Sequence, residues 1–164
     1  MRLLLALFLA FCISNADNPK VIISTHYDID KLVNKLAKPF DLEKTIRTII
    51  RIESDDGKYL INLQSKDCGI TGINVKTFMK RHNIVNTPFN QNKACQDLVN
   101  NPHLAIANSI EELLYWKEIH CQGKCTKAHY RNVVKSYNAG WNYKGNQAKE
   151  YWNKFVKAYN ELYN

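Results

Sequence analysis

The sequence predicts a mainly α-helical single domain, built around a buried central helix and holding at most a very small β element. Three observations predict it. Apolar residues recur at helical spacing in several separate stretches. One of these, opened by Asn101 and Pro102, is long and apolar enough to be the central helix. The alternation of Tyr59, Ile61 and Leu63, on the other hand, is short enough to be either a strand or an irregular loop. A length of 164 residues suits one domain, and 45% hydrophobic content is enough for a core.

Residues 1–16 read as a secretory signal peptide: Arg2 is positive, residues 3–13 are apolar, and Ser14 and Ala16 are small residues ahead of a cleavage point. The apolar run is too short to span a bilayer comfortably. A lipoprotein reading through Cys12 is weaker, because the bulky Phe11 precedes it. After cleavage no stable membrane insertion is expected, and the mature protein is expected to be a periplasmic or extracellular monomer. Residues 17–39 form a leader. It holds a β-prone run at residues 21–23 and a short helix marked by Ile29, Leu32, Val33 and Leu36, and it ends at Pro39. Residues 40–164 form the domain proper.

Its first helix opens at Asp41, a plausible N-cap, and places Leu42, Ile46, Ile49, Ile50 and then Glu53 on one face. Ser54, Asp55, Asp56 and Gly57 end it. Residues 75–82 form a helix with Phe78 and Met79 inward and His82 as a capping or surface residue. Residues 83–93, with Pro88 and many amides, read as loop. A short helix at 93–99 carries Cys95. The central helix runs to about His120 and buries Leu104, Ala107, Ile110, Leu114 and Ile119. A helix at 127–136 delivers Tyr137-Asn138-Ala139-Gly140. The last helix, 146–162, packs Tyr151, Phe155, Tyr159 and Leu162 into the core.

The formal net charge of +8 falls to +7 when Arg2 is removed, which suits an anionic polymer. No nucleic-acid motif accompanies the charge, and no nucleic-acid partner is expected. Removing the signal peptide also leaves four cysteines, Cys68, Cys95, Cys121 and Cys125. In an exported chain these point to disulfides, with three connectivities open. Cys68–Cys95 with Cys121–Cys125 is favoured. A zinc site from His120, Cys121, Cys125 and His129 is the rival reading. Gly123 breaks the helix it would need, and export favours oxidation, so no metal is expected.

Glu53 is the residue with chemical promise. A carboxylate at the end of an apolar stripe is desolvated, which favours the protonated form that a general acid needs.

Glu53-Ser54, then residues 65–74 (Ser-Lys-Asp-Cys-Gly-Ile-Thr-Gly-Ile-Asn), then Tyr137-Asn138-Ala139-Gly140 resemble, in order and spacing, the lytic transglycosylases of the soluble type, which belong to the goose-type lysozyme-like superfamily. The likeness covers roughly residues 40–159. It implies a lysozyme-like fold and, as substrate and partner, the glycan strands of peptidoglycan. It also implies cleavage of the β-1,4 bond between N-acetylmuramic acid and N-acetylglucosamine by a single Glu, giving 1,6-anhydro ends without a cofactor. By the same likeness Glu53 is the acid and base. Ser65 bonds near Glu53 or the substrate. The wall for the N-acetyl sugar comes from Gly69, Ile70, Thr71 and Ile73. Tyr137 sits by the carboxylate and holds its orientation, and Asn138 lies beside it in a binding or structural role. Where the family usually has Gln this chain has Gly72, which implies altered glycan specificity or a wider cleft, with Thr71 placed to compensate. Asp67 is a possible second carboxylate, and it keeps a hydrolytic lysozyme in view. A non-catalytic exported glycan-binding or envelope protein is the competing class.

Overall fold

The structure, a computed structural model, describes residues 28–164. The expected signal peptide and the run at 21–23 lie outside the described residues. Seven helices and three two-residue strands follow in order: α1 Ile29–Ala37, α2 Glu43–Ser54, β1 Ile61–Asn62, β2 Asp67–Cys68, β3 Ile73–Asn74, α3 Val75–Arg81, α4 Pro88–Asn100, α5 Pro102–Cys121, α6 Lys127–Ala139 and α7 Asn146–Tyr163. The mainly α architecture with one minimal sheet is the one the sequence predicts.

Helix α5 is the hub. Its 20 residues pack against α1, α2, α4 and α6, and α7 closes the other side over α2 and α6. With four helical neighbours, α5 buries a broad arc: Ala105, Ile106, Ser109, Ile110, Leu113 and Trp116 are buried, while Leu104, Ala107, Leu114 and Ile119 are only partly so. The expected stripe is therefore rotated, with only Ile110 of its five fully in the core. Asn108 is affordable there because its amide donates to Leu104 O at 2.9 Å and its Oδ1 meets His82 Nε2 at 2.7 Å. His82 also caps α3 at its C-terminus.

Helix α1 is capped by Asp28, whose side chain accepts from the Lys31 N–H. It buries Val33 and Ala37, as a short packing helix should. Asp41 does not cap α2. It sits left-handed at φ 55° after the 3-10 turn Lys38–Phe40, and Leu42 takes the cap position. The aspartate tolerates that conformation better than a bulky residue would. The expected loop at 83–93 holds only as far as Thr87; from Pro88 the chain is helix. Thr87 accepts from Asn90 N–H at 3.2 Å and Pro88 is the first helical residue, where its missing N–H has no partner to lose. Proline here starts a helix instead of breaking one.

The sheet order is β1-β2-β3, antiparallel throughout, with Asp67 opposite Asn62 and Asn74, and Cys68 opposite Ile61 and Ile73. Cys68 is bonded to Cys95, with Cα atoms 5.3 Å apart, so the middle strand is tied to α4. Cys121 is bonded to Cys125, closing the turn between α5 and α6. That bond takes up the sulfurs a zinc site would have used.

Candidate functional site

The apolar stripe of α2 buries Ile46, Ile49 and Ile50 completely. Each such side chain contributes about 1.5–3 kcal/mol by leaving water, and together they fix the rotation of the helix. That rotation puts Glu53, on the last turn, at the rim of the core. Directly after it the chain turns away through Asp55, Asp56 and Gly57, all with positive φ. Ser54 holds this turn: its hydroxyl donates to Ile50 O and accepts from Gly57 N–H, both at 3.0 Å. Asp55 and Asp56 are engaged by Arg47, Arg51 and Lys58, so neither is a free partner for Glu53.

Glu53 opens into a cavity of about 260 Å³ shared with Tyr59, Asn62, Asp67, Gly69, Gly72 and Lys154. Although the residue as a whole is half-buried, protein atoms crowd its carboxyl. Burial lifts its pKa from 4.5 to about 7, the Asp67 charge pushes the same way, and the Tyr151 hydroxyl and Lys154 ammonium pull against them. The Tyr151 hydroxyl is buried beside the Glu53 carboxyl without a hydrogen bond of ordinary geometry, so its effect on Glu53 is that of a nearby polar group. Asp67 accepts from Asn74 Nδ2 at 3.0 Å, which fixes it on the sheet inside the same cavity.

The segment 69–72 forms the facing wall. Gly69 N–H donates to Leu60 O at 2.9 Å and Gly72 N–H to Gly69 O at 3.1 Å. Gly72 adopts φ +62°, and a Cβ there would stand 2.6 Å from Glu53 Oε2. A side chain there would displace the Glu53 carboxyl and would sit on a left-handed backbone that favours glycine. Gly69, at φ +82°, approaches α4 so closely that a Cβ would meet Leu98 O at 2.8 Å.

Three residues hold the wall from behind. The Tyr137 hydroxyl donates to Thr71 O at 2.8 Å and lies 2.9 Å from Ser109 Oγ. The Thr71 hydroxyl donates to Ala105 O at 3.2 Å and accepts from Ser109 at 2.8 Å. Burial, with the Glu53 charge nearby, raises the Tyr137 pKa, so it stays a neutral donor. Its grip on Glu53 is therefore indirect, through the backbone on which Gly72 sits. On the far side of Gly72 a second, narrower cavity of about 60 Å³ continues along Ile73, Thr77, Arg81, Glu112 and Tyr137. The two cavities share Gly72 in their linings.

The remaining expected residues divide. Ile70 and Thr71 are buried and give the cleft no side chain, which leaves the wall to glycine backbone and to Ile73. Ser65 is exposed in the turn between β1 and β2, and neither cavity includes it. Its carbonyl accepts from Asn74 Nδ2, so its link to the site runs only through the sheet. Asn138 is half-buried outside both cavities, with its Oδ1 buried and unbonded. Sequence reasoning missed Tyr151 and Lys154. Tyr151 was assigned to core packing, which it also performs, since only 7% of it is exposed. The signal lay in its hydroxyl, a polar tip on a buried stripe that requires a partner.

A larger cavity, about 640 Å³, lies elsewhere, against the start of α2 and between α6 and α7, with Tyr130, Trp152, Phe155 and Tyr159 in its lining. It is more than twice the volume of the Glu53 cavity, but Glu53 is the carboxylate among the described residues whose pKa burial carries to neutrality. Chemistry, not volume, decides between them. Comparison of the chain with protein-family models, with curated proteins and with solved structures finds no match.

Proposed function

We propose that the protein is a peptidoglycan-cleaving lytic transglycosylase with Glu53 as its acid and base. The observation that carries this reading is Glu53 itself, a carboxyl at the floor of a cleft with its pKa raised to about 7. A substantial fraction is therefore protonated at neutral pH, as a general acid must be. Glu53 protonates the bridging oxygen between N-acetylmuramic acid and N-acetylglucosamine. The bond from that oxygen to the muramic C1 breaks through an oxocarbenium-like transition state. The muramic C6 hydroxyl then attacks C1 and returns its proton to Glu53, so no water is consumed and a 1,6-anhydro end results. Lys154 and Tyr151 support the carboxylate in the interval when it is charged; Asp67 favours its reprotonation.

Asp67 also supports a second reading. A carboxylate sharing the cavity can orient water, which would make the enzyme a hydrolytic lysozyme with the same acid. Two disulfides and the signal-like residues 1–16 favour export to the periplasm or outside the cell. No helix among the described residues is long and apolar enough to cross a membrane. The test is clearing of a peptidoglycan suspension by the wild type and by Glu53→Gln, followed by mass analysis of the products. Anhydro ends support the transglycosylase. Reducing ends, heavier by one water, assign the hydrolase.

A further inference from the structure

Gly140 ends α6 at φ +56° and turns the chain into the 3-10 turn Gly140–Asn142, which carries Trp141. This indole is 70% exposed. It stands edge-on to Trp116, with ring centroids 5.0 Å apart and planes at 79°. Trp116 is a firm base: it is buried, and its indole N–H donates to Glu112. Glu112 in turn pairs with Arg81, and both line the smaller cavity beside Gly72 and Tyr137. Tyr115, 47% exposed, stands edge-to-face with Trp116 at 4.9 Å. Contacts therefore run from Glu112 in that cavity through Trp116 to the exposed indole of Trp141.

With 70% of its surface exposed, the Trp141 side chain presents apolar ring surface to solvent beside the buried Trp116. Sugar rings carry apolar C–H faces that pack on such a surface while their hydroxyls stay wet. An aromatic side chain offers about 150–250 Å², against about 800 Å² per partner in a stable protein interface. The patch matches one or two sugar rings and falls well short of a protein partner. Lys144, whose ammonium lies 5.7 Å from the Tyr143 ring two residues along from Trp141, adds positive charge next to it, which suits the acidic substituents of a wall glycan.

We propose that Trp141 is a stacking platform for a pyranose ring of the glycan strand, beyond the bond cut at Glu53 and on the side of Gly72 where Glu112 and Tyr137 line the smaller cavity. This rests on the glycan-cleaving reading of the cleft. Binding is measured by co-sedimentation with purified insoluble peptidoglycan in the Glu53→Gln background, where the polymer is not consumed. Adding Trp141→Ala is expected to weaken binding about five- to tenfold, the scale of one aromatic contact, while Trp141→Phe stays within about twofold of the parent. Trp141→Leu keeps apolar bulk over Trp116 without the flat face or any added charge and is expected to lose binding as Ala does, with an unchanged melting temperature. Equal binding by the parent and the Ala and Leu variants overturns the platform, as does a parent that does not sediment with peptidoglycan. The cleavage reading fails separately, if Glu53→Gln still clears the suspension.

Discussion

Replacing Glu53 with Gln is expected to stabilise the fold in a pH-dependent way while removing activity. In the unfolded chain this carboxyl ionises near 4.5, and in the folded protein near 7. Between those values the folded state holds a proton that the unfolded state has lost. Stability therefore falls as pH rises from about 4.5 to about 7 and is level above that. The interval corresponds to about 3 kcal/mol. Glutamine is neutral at every pH and escapes the loss. The advantage of Glu53→Gln over wild type, from urea unfolding at pH 4 to 9, should therefore grow by about 3 kcal/mol and then level off. Because only the difference between the two proteins is read, titration of the carboxylates remote from Glu53 cancels. Wall clearing by the same variant should fall about 10²–10⁴-fold, the usual contribution of general acid–base catalysis. A stability difference that does not change with pH would mean that the Glu53 carboxyl is solvated in the folded state, and the argument for an acid poised at neutrality would go with it. Activity within a few-fold of wild type would remove the catalytic assignment directly.

Wall-clearing activity of the wild type should decline as pH rises above about 7, because the acid form of Glu53 disappears there; a rate that keeps rising to pH 9 would contradict the assignment. Asp67→Asn removes a charge that raises the Glu53 pKa, so the decline should move to lower pH; if Asp67 also orients water, reducing ends should vanish from the digest. Gly72→Ala should depress activity sharply, since its Cβ would stand 2.6 Å from Glu53 Oε2, and should destabilise by at least the ~1–2 kcal/mol of a left-handed alanine, measurable by urea titration. Alkylation without reduction, read by mass, should find no free thiol in the mature protein, because the four cysteines are paired; four labelled thiols would refute that pairing.

The sequence by itself determined whatever is set by neighbours within a few residues. Helical spacing of apolar residues located α1, α2, α3 and the last three helices, and the Asn101-Pro102 pair located the start of α5 to the residue. The same spacing put Glu53 at the end of a stripe that is in fact buried. Where two local signals competed, sequence misled. Pro88 among amides reads as loop, but Thr87 before it supplies a cap and turns the proline into a first helical residue. Asp41 reads as a cap, yet Pro39 shapes a 3-10 turn that claims it. The tertiary structure alone decided the atoms that meet Glu53. Gly72 stands against its carboxyl from 19 positions along the chain, and Lys154 joins it from about a hundred with nothing local to mark the meeting. It also decided that Ile70 and Thr71 face inward, that Tyr137 grips Thr71 O rather than the carboxyl, and that α5 buries an arc wider than its stripe. A helix surrounded on several sides no longer needs a single apolar face, and a residue's partner across a cleft is chosen by how whole elements pack. Periodicity reports which side of an element avoids water; only packing determines what that side meets.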